Sequence, residues 1–328
     1  MKRGPEPAGP VAHPGSVSVV ICAYTQDRWA DLVEAVRSIE RQSVPALETI
    51  VVVDHEPELL SRVRRELPHV IALANEEQRG LSGARNTAVR RAGGAVIAFL
   101  DDDARADPDW LAQLLRGYTE SDALGVGGSI EPDWLQGRPG WFPPEFDWVV
   151  GCSYRGLPET ATNVRNLIGA NMSFRREVFE LIGGFNTDVG RVGTLPVGCE
   201  ETEFCIRLRQ QRPGAVTLLE QRARVQHRVP AGRSRWRYFR ERCFAEGRSK
   251  AIVAQRLGAD DALSTERSYV ARTLPRGVAR GVGDAVLRRD PAGIQRSLAI
   301  VAGLTMTAAG YVAGRAATAP GRPLARRA

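Results

Sequence analysis

Four short apolar runs, separated by stretches of helical periodicity, fill the first hundred residues and leave few folds open. Val17-Ser-Val-Val-Ile-Cys-Ala23, Thr49-Ile-Val-Val-Val53, Val70-Ile-Ala-Leu73 and Ala95-Val-Ile-Ala-Phe-Leu100 are nearly continuous rather than alternating. That is the pattern of strands buried on both faces. Between the first two, Trp29, Leu32, Val33, Val36 and Ile39 recur at helical spacing. Further helices are predicted around Glu56 to Glu66 and from Ser82 to Arg91, the latter stopped by Gly93-Gly94. Strands alternating with helices imply βαβ units and a parallel sheet covered on both faces. Ligands of such sheets sit outside the carboxyl ends of the strands. The residues there are Tyr24 and Asp27, then Asp54, then Asp101-Asp102-Asp103. No GxGxxG follows the first strand, which weighs against a nicotinamide enzyme.

Beyond residue 130 the pattern loosens. The stretch from Pro132 to Val164 holds Trp134, Trp141, Trp148 and Pro139, Pro143 and Pro144; it reads as a mobile loop region over a site. Leu167 to Phe174 reads as a strand, Arg176 to Ile182 as a helix ended by Gly183-Gly184, and Glu201 to Arg209 as another helix. After Gln226-His227 the chain is predicted to turn helical and Arg-rich. The expected organisation is a leader over 1–16, an α/β domain over 17–230, a basic helical region over 231–316 and a basic tail over 317–328.

Charge is unevenly placed. From Arg222 to Asp290, 17 Arg and Lys face 7 Asp and Glu, a surplus of 10 in a chain whose net charge is +7. Such a region suits nucleic acid, anionic lipid or a phosphorylated substrate, or is simply a solvated helical surface. No zinc-finger, RNP-like or basic-zipper pattern supports nucleic acid. Ser297 to Gly314 carries no charge and is flanked by Arg296 and Arg315. It is Ala-, Gly- and Thr-rich, and a span needs about 20 strongly apolar residues. An interfacial or packed helix is therefore predicted, resting on an anionic membrane surface, on the catalytic domain, or on a second copy in a homodimer. Five scattered cysteines without a CxxC pair and a polar N-terminus suit a cytoplasmic protein, peripheral at the inner face of the membrane.

Three consecutive aspartates at a strand end call for a counter-charge. A divalent cation with oxygen ligands, Mn2+ or Mg2+, would supply it and would bind a diphosphate leaving group. The alternative is a solvated acidic turn. Arg79-Gly-Leu-Ser-Gly-Ala-Arg-Asn86 allows close backbone approach before a helix N-terminus, with Arg85 as a fixed positive charge. Glu200, Glu201 and Glu203 stand at a predicted helix start, where a carboxylate could accept a proton from an attacking hydroxyl. Glu203 and Arg207 are spaced to pair along the helix. His227, taken alone, would be structural.

In this order the segments resemble the family 2 glycosyltransferases, whose fold is glycosyltransferase-A. The resemblance runs from about Val17 to His227. It rests on Cys22-Ala-Tyr24, Val53-Asp54, Gly80-Leu-Ser-Gly-Ala-Arg-Asn86, Asp101-Asp-Asp103, Gly169-Ala-Asn-Met-Ser173 with Gly183-Gly-Phe185, and Glu200-Glu-Thr-Glu203. It implies that Ala23, Tyr24 and Asp54 hold the nucleoside, that Arg79 and Arg85 lie near the diphosphate, and that Asp101 and Asp102 contact the donor. Asp103, Asp101 and His227 would hold the metal. Asn171, Trp141 and Trp148 are expected on the acceptor side. The catalytic base falls at Glu201 or Glu200; the family usually has Asp where this chain has Glu201. Asp54-His55-Glu56 also departs from the common pattern. The QxxRW motif of processive members is absent, so the resemblance implies transfer of one sugar per encounter, inverting, from a nucleotide-diphosphate sugar (UDP by default). The acceptor hydroxyl would belong to a lipid-linked or cell-surface glycan or a small-molecule glycoside. The competing readings are a non-catalytic nucleotide- or anionic-lipid-binding protein and a sugar nucleotidyltransferase; the latter lacks its Gly-rich opening motif here.

Overall fold

The computed structural model describes residues 15–188 and 198–317. The leader and tail expected at 1–16 and 317–328 lie, except for residues 15, 16 and 317, outside the described residues.

Each of the four apolar runs is a strand, within one residue of its expected bounds: β1 (Val17–Ala23), β2 (Glu48–Val53), β3 (Ile71–Ala74) and β4 (Val96–Asp101). They pair in parallel in the order β3-β2-β1-β4. Between them run α1 (Trp29–Glu40), α2 (Pro57–Glu66) and α3 (Leu81–Arg91). Alternate residues of β1 feed two cores. Val17, Val19, Ile21 and Ala23 pack with Leu32 and Val36 of α1. Val20 packs on the other face with Ala84 and Ala88 of α3. Each buried Val or Ile contributes about 1.5–3 kcal/mol, which is why these strands tolerate almost no polar residue.

The sheet then changes character: the parallel half is extended by a mixed half, in keeping with the mostly parallel sheet expected. Short β5 (Ala104–Ala106) follows the aspartates, and α4 (Trp110–Thr119) leads into long β6 (Ala123–Trp134). A 3-10 helix over Pro144–Val150 and two-residue β7 (Thr162–Asn163) precede β8 (Asn171–Arg175), α5 (Arg176–Ile182), α6 (Glu200–Gln211) and β9 (Val216–Val229). β8 runs antiparallel to both β4 and β6, β6 is parallel to β9, and β5 and β7 pair antiparallel with β9. The result is one mixed, nine-stranded sheet. Residues 167–170, expected in a strand, form the turn before β8. The chain after His227 stays extended to Val229 before it becomes helical. The region expected as a mobile loop is instead packed into the core through Phe142, Phe146, Val149 and Val150.

After β9 come α7 (Trp236–Leu257), the short α8 (Ala259–Ala262) and α9 (Ser264–Ser268), and a π-helical turn over Tyr269–Thr273. Then α10 (Leu274–Leu287) and α11 (Ala292–Ala317) complete the described chain. Glycines let α11 lie directly on α7: a Cβ at Gly310 would sit 2.0 Å from the Phe244 carbonyl oxygen, and one at Gly247 would sit 2.0 Å from that of Thr307.

Candidate active site

Strand pairing builds the acidic centre. Immediately after Asp101-Asp102-Asp103, β5 pairs with the end of β9, placing Ala104 opposite His227. The Arg228 amide donates to the Asp103 carbonyl at 2.8 Å. Along β9, Ala223, Val225, His227 and Val229 are buried while Arg224 and Gln226 are exposed, so His227 points inward by the period of two. Its Nε2 lies 3.0 Å from Asp103 Oδ1 and 4.0 Å from Asp101 Oδ2. One ligand atom from each of Asp101, Asp103 and His227 fits within 4.8 Å of the others. Two carboxylate oxygens and an imidazole nitrogen on such a triangle suit a borderline divalent ion.

The aspartates also find counter-charge within the chain, besides any that a divalent cation would supply. Arg28 Nη1 reaches Asp102 Oδ1 at 2.8 Å and Asp103 Oδ2 at 3.2 Å; Arg233 Nη2 reaches Asp103 Oδ2 at 3.2 Å. Burial would raise the Asp103 carboxyl, but His227, Arg233 and Arg28 hold it well below the usual carboxylate range. Burial pushes its neighbour Asp102 up to about 7 despite Arg28. The fit to a metal therefore rests on convergent ligand atoms rather than on charge excess. Among the described residues, Asp102 Oδ2, Glu200 Oε2 and His227 Nδ1 are buried without a hydrogen-bond partner. Buried polar groups are nearly always paired, and three orphans around one site mark it as a place built for something other than stability.

The start of α6 supplies the carboxylates. Cys199, its N-cap, holds φ +78°, a conformation that non-glycine residues keep only where the surroundings impose it. Glu200 is buried and engaged: Arg85 Nη1 donates to its Oε1 at 2.9 Å, and Arg85 Nη2 donates to the Gly169 carbonyl at 3.1 Å. Arg85 thus braces α6 against β4, with Asp101 Oδ1 3.8 Å away. Glu201 is less buried and faces the cavity. Burial, and then the charge of Glu200, push its carboxyl up to about 7. Glu203 and Arg207 pair as expected, Nε to Oε1 at 3.0 Å.

Asp101, Arg85, His227, Glu200, Glu201 and Trp148 line a single cavity of about 780 Å3. The other expected residues are placed differently. Asp54 directly follows β2 and is buried; its carboxylate accepts from Asn75 Nδ2 at 2.7 Å and from the Gly80 amide at 3.0 Å. Gly80 takes φ +133° to present that amide, a conformation suited to glycine. The Ala23 carbonyl accepts from the Asp54 amide at 2.8 Å. Arg28 lies 5.2 Å from the Tyr24 ring centroid, and Arg79 is exposed on the loop before α3. Asn171 is a correction: it is fully buried, accepts from Trp110 Nε1 at 2.8 Å and donates to the Ser129 and Ala223 carbonyls, so it ties the sheet together and meets no acceptor. Trp141 is another: its ring packs on Phe142, Trp236 and Phe239, away from the cavity. Arg28 and Arg233 escaped the sequence reading because their partners lie 74 and 130 residues away.

The model of glycosyl transferase family 2 matches residues 18–183, just over half the chain. The chain belongs to that family. This glycosyltransferase is 38% identical over 241 residues to a glucosyl-dolichyl phosphate glucuronosyltransferase of Haloferax volcanii, covering 72% of this chain and 77% of the relative. It is 26% identical over 242 residues to the succinoglycan biosynthesis protein ExoM of Rhizobium meliloti, covering 71% and 73%. The mannosyltransferase PcManGT of Pyrobaculum calidifontis, solved in complex with GDP-Man and Mn2+, matches the glycosyltransferase with a TM-score of 0.56 at 19% identity, over 89% of this chain and 86% of that one. That likeness shows the shared glycosyltransferase-A fold.

Proposed function

We propose that this glycosyltransferase moves one sugar, with inversion, from a nucleoside-diphosphate donor to a hydroxyl of a lipid-phosphate-linked sugar. The observation that carries the reading is that Asp101, Asp103 and His227 converge, and that Asp101 and His227 line one cavity with Glu201, a cavity also lined by apolar residues of the C-terminal helices. The name of the Haloferax relative supports the acceptor class and suggests an acidic sugar as the group transferred; the departing nucleotide is UDP by family resemblance.

Asp101, Asp103 and His227 are the residues that would hold Mn2+ or Mg2+, and the mannosyltransferase neighbour, solved with Mn2+, supports that choice. Such an ion, when bound, neutralises charge on a diphosphate leaving group. Glu201 takes the proton of the acceptor hydroxyl as its oxygen bonds to the anomeric carbon and the bond to the diphosphate breaks on the opposite side. Arg85 keeps Glu200 paired, so the proton goes to Glu201. Arg28 and Arg233 keep Asp102 and Asp103 in place. Asp54, Ala23, Tyr24 and Arg79, at the carboxyl ends of β1 and β2 and before α3, frame the nucleoside side.

Asp103→Ala should abolish metal-dependent release of nucleoside diphosphate, measured with a panel of nucleotide sugars with and without Mn2+. Full activity in that variant would remove the metal site from the mechanism.

A further inference from the structure

An acceptor that places its hydroxyl at Glu201 must put the rest of itself in the rest of the cavity. What lies there is ordered. Beside the α6 N-terminus stand three half-buried cations, Arg165, Arg242 and Lys250, against two carboxylates, Glu246 and Glu266. The cluster adjoins the base: the Cys199 thiol, two residues before Glu201, donates to Glu246 Oε1 at 3.3 Å. Past the cluster the wall becomes apolar, with Val270, Leu274, Leu304 and Val312. Val312 is 67% exposed, so the chamber opens along α11. One cavity therefore holds the Glu201 carboxylate, a group of cations and apolar side chains.

The cations are held in a form an anion could take over. Arg165 grips Glu266 with both arms of its fork, at 2.5 and 2.9 Å, and Lys250 Nζ meets the same carboxylate at 2.6 Å. A guanidinium fork plus an ammonium on two oxygens of one group is how proteins hold a phosphate. Glu266 is held well below its ordinary value, at about 2, by Lys250 and Arg165 against the cost of burial, so it is an ion here. It belongs to five-residue α9, between four-residue α8 and the π-helical turn, the least continuous stretch of the C-terminal region. Buried ion pairs are poor stabilisers compared with apolar packing, so a network of five charges in an apolar chamber calls for another use. These five groups carry one positive charge in excess with Glu266 in place and two once Glu266 is displaced, which suits a phosphate ester of one or two negative charges.

We propose that Arg165 and Lys250, supported by Arg242, are the seat for the phosphate of an isoprenoid-type phospholipid acceptor, and that Glu266 fills that seat until the acceptor displaces it. The proposal rests on the reading of the acceptor as lipid-linked. Its test is binding rather than transfer. Full-length protein, without donor or divalent cation, is titrated with geranyl phosphate, geraniol and inorganic phosphate, followed by calorimetry and thermal shift. Geranyl phosphate is expected to bind more tightly than either of the others. Lys250→Gln should weaken it at least about tenfold, as expected on losing a charge-assisted contact, and Lys250→Arg should restore it. Glu266→Gln should lower the unliganded Tm yet tighten geranyl phosphate binding. A purely structural network predicts instead that Lys250→Gln and Glu266→Gln shift affinity in the same direction or leave it unchanged; either result overturns the seat. Equal binding of inorganic phosphate would give the seat to a free anion, and equal binding of geraniol would reduce it to an apolar pocket; both overturn the proposal. Failure of wild-type enzyme to glycosylate any lipid-phosphate acceptor would strike the proposed function and leave these affinities to judge the seat.

Discussion

Two adjacent glutamates at the start of α6 have the same chemistry and different jobs because their surroundings differ. Glu200 is spoken for by Arg85, whereas Glu201 faces the cavity with its carboxyl pushed up to about 7 by burial and by Glu200. A base must be ionised to accept a proton. The value of kcat/KM should therefore rise with pH through about 7 and level off above it. Glu201→Gln should lower kcat by about 10²–10⁴ and flatten that limb, while Glu200→Gln should keep the limb but move it to lower pH, because one of the charges that raise Glu201 is gone; a limb surviving in Glu201→Gln would move the base elsewhere. At this scale the sequence was informative where a motif carried the residue: Asp101, Asp103, Glu201 and Arg85 all reach the site. It was uninformative where a pairing crosses the fold. Nothing local to Arg28 or Arg233 announces an aspartate, and Asn171 looked accessible only because a motif name says nothing about burial.

Elements were legible in proportion to how plainly their burial shows. β1, β2 and β4 are buried along most of their length and read as nearly continuous apolar runs. β6 carries Gly125, Gly127 and Gly128, which lower strand propensity; they are there because the neighbours come too close, with the Ala223 carbonyl oxygen 1.7 Å from where a Cβ on Gly128 would sit. β9 alternates Ala223, Val225, His227 and Val229 with Arg224, Gln226 and Arg228. No element is predicted over 216–226 and a helix is predicted after His227, although the period of two is present and turns His227 inward. α11 was recognised as apolar, and its packing explains its glycines. Gly310→Leu should force α11 off α7 at a cost of about 1–3 kcal/mol, a fall of several degrees in Tm. Gly283→Leu on α10, where no atom lies within 4 Å of the added Cβ, should be neutral or slightly stabilising, and calorimetry of both variants checks the contrast.

At the scale of the molecule, α10 exposes Val282, Val286 and Leu287, and α11 exposes Ile294, Leu298, Val301 and Val312. Arg288 and Arg289 stand beside Leu287, and Arg315 lies near the end of α11. α11 is long and apolar enough to cross a membrane by length and composition, with a third of its most apolar window buried; its glycine face is taken by α7. A helix packed along one side, with an apolar face rimmed by arginine, suits the plane of an anionic bilayer. We expect cosedimentation with phosphatidylglycerol vesicles, reduced about tenfold or more by Leu298→Glu with Val301→Glu. Unchanged partitioning together with a dissociating dimer would instead give this face to a second copy.

The pairing of β5 with β9 has a bearing on how the protein is made. Residues 101 and 103 leave the ribosome long before residue 227, and strand β9 is the piece that brings the third ligand atom to them. A nascent chain halted anywhere short of β9 can have four paired strands and a row of aspartates, yet it has no complete centre. With the metal held as proposed, catalytic competence would arrive only near the end of synthesis of the sheet, and an unfinished chain would not spend activated sugar.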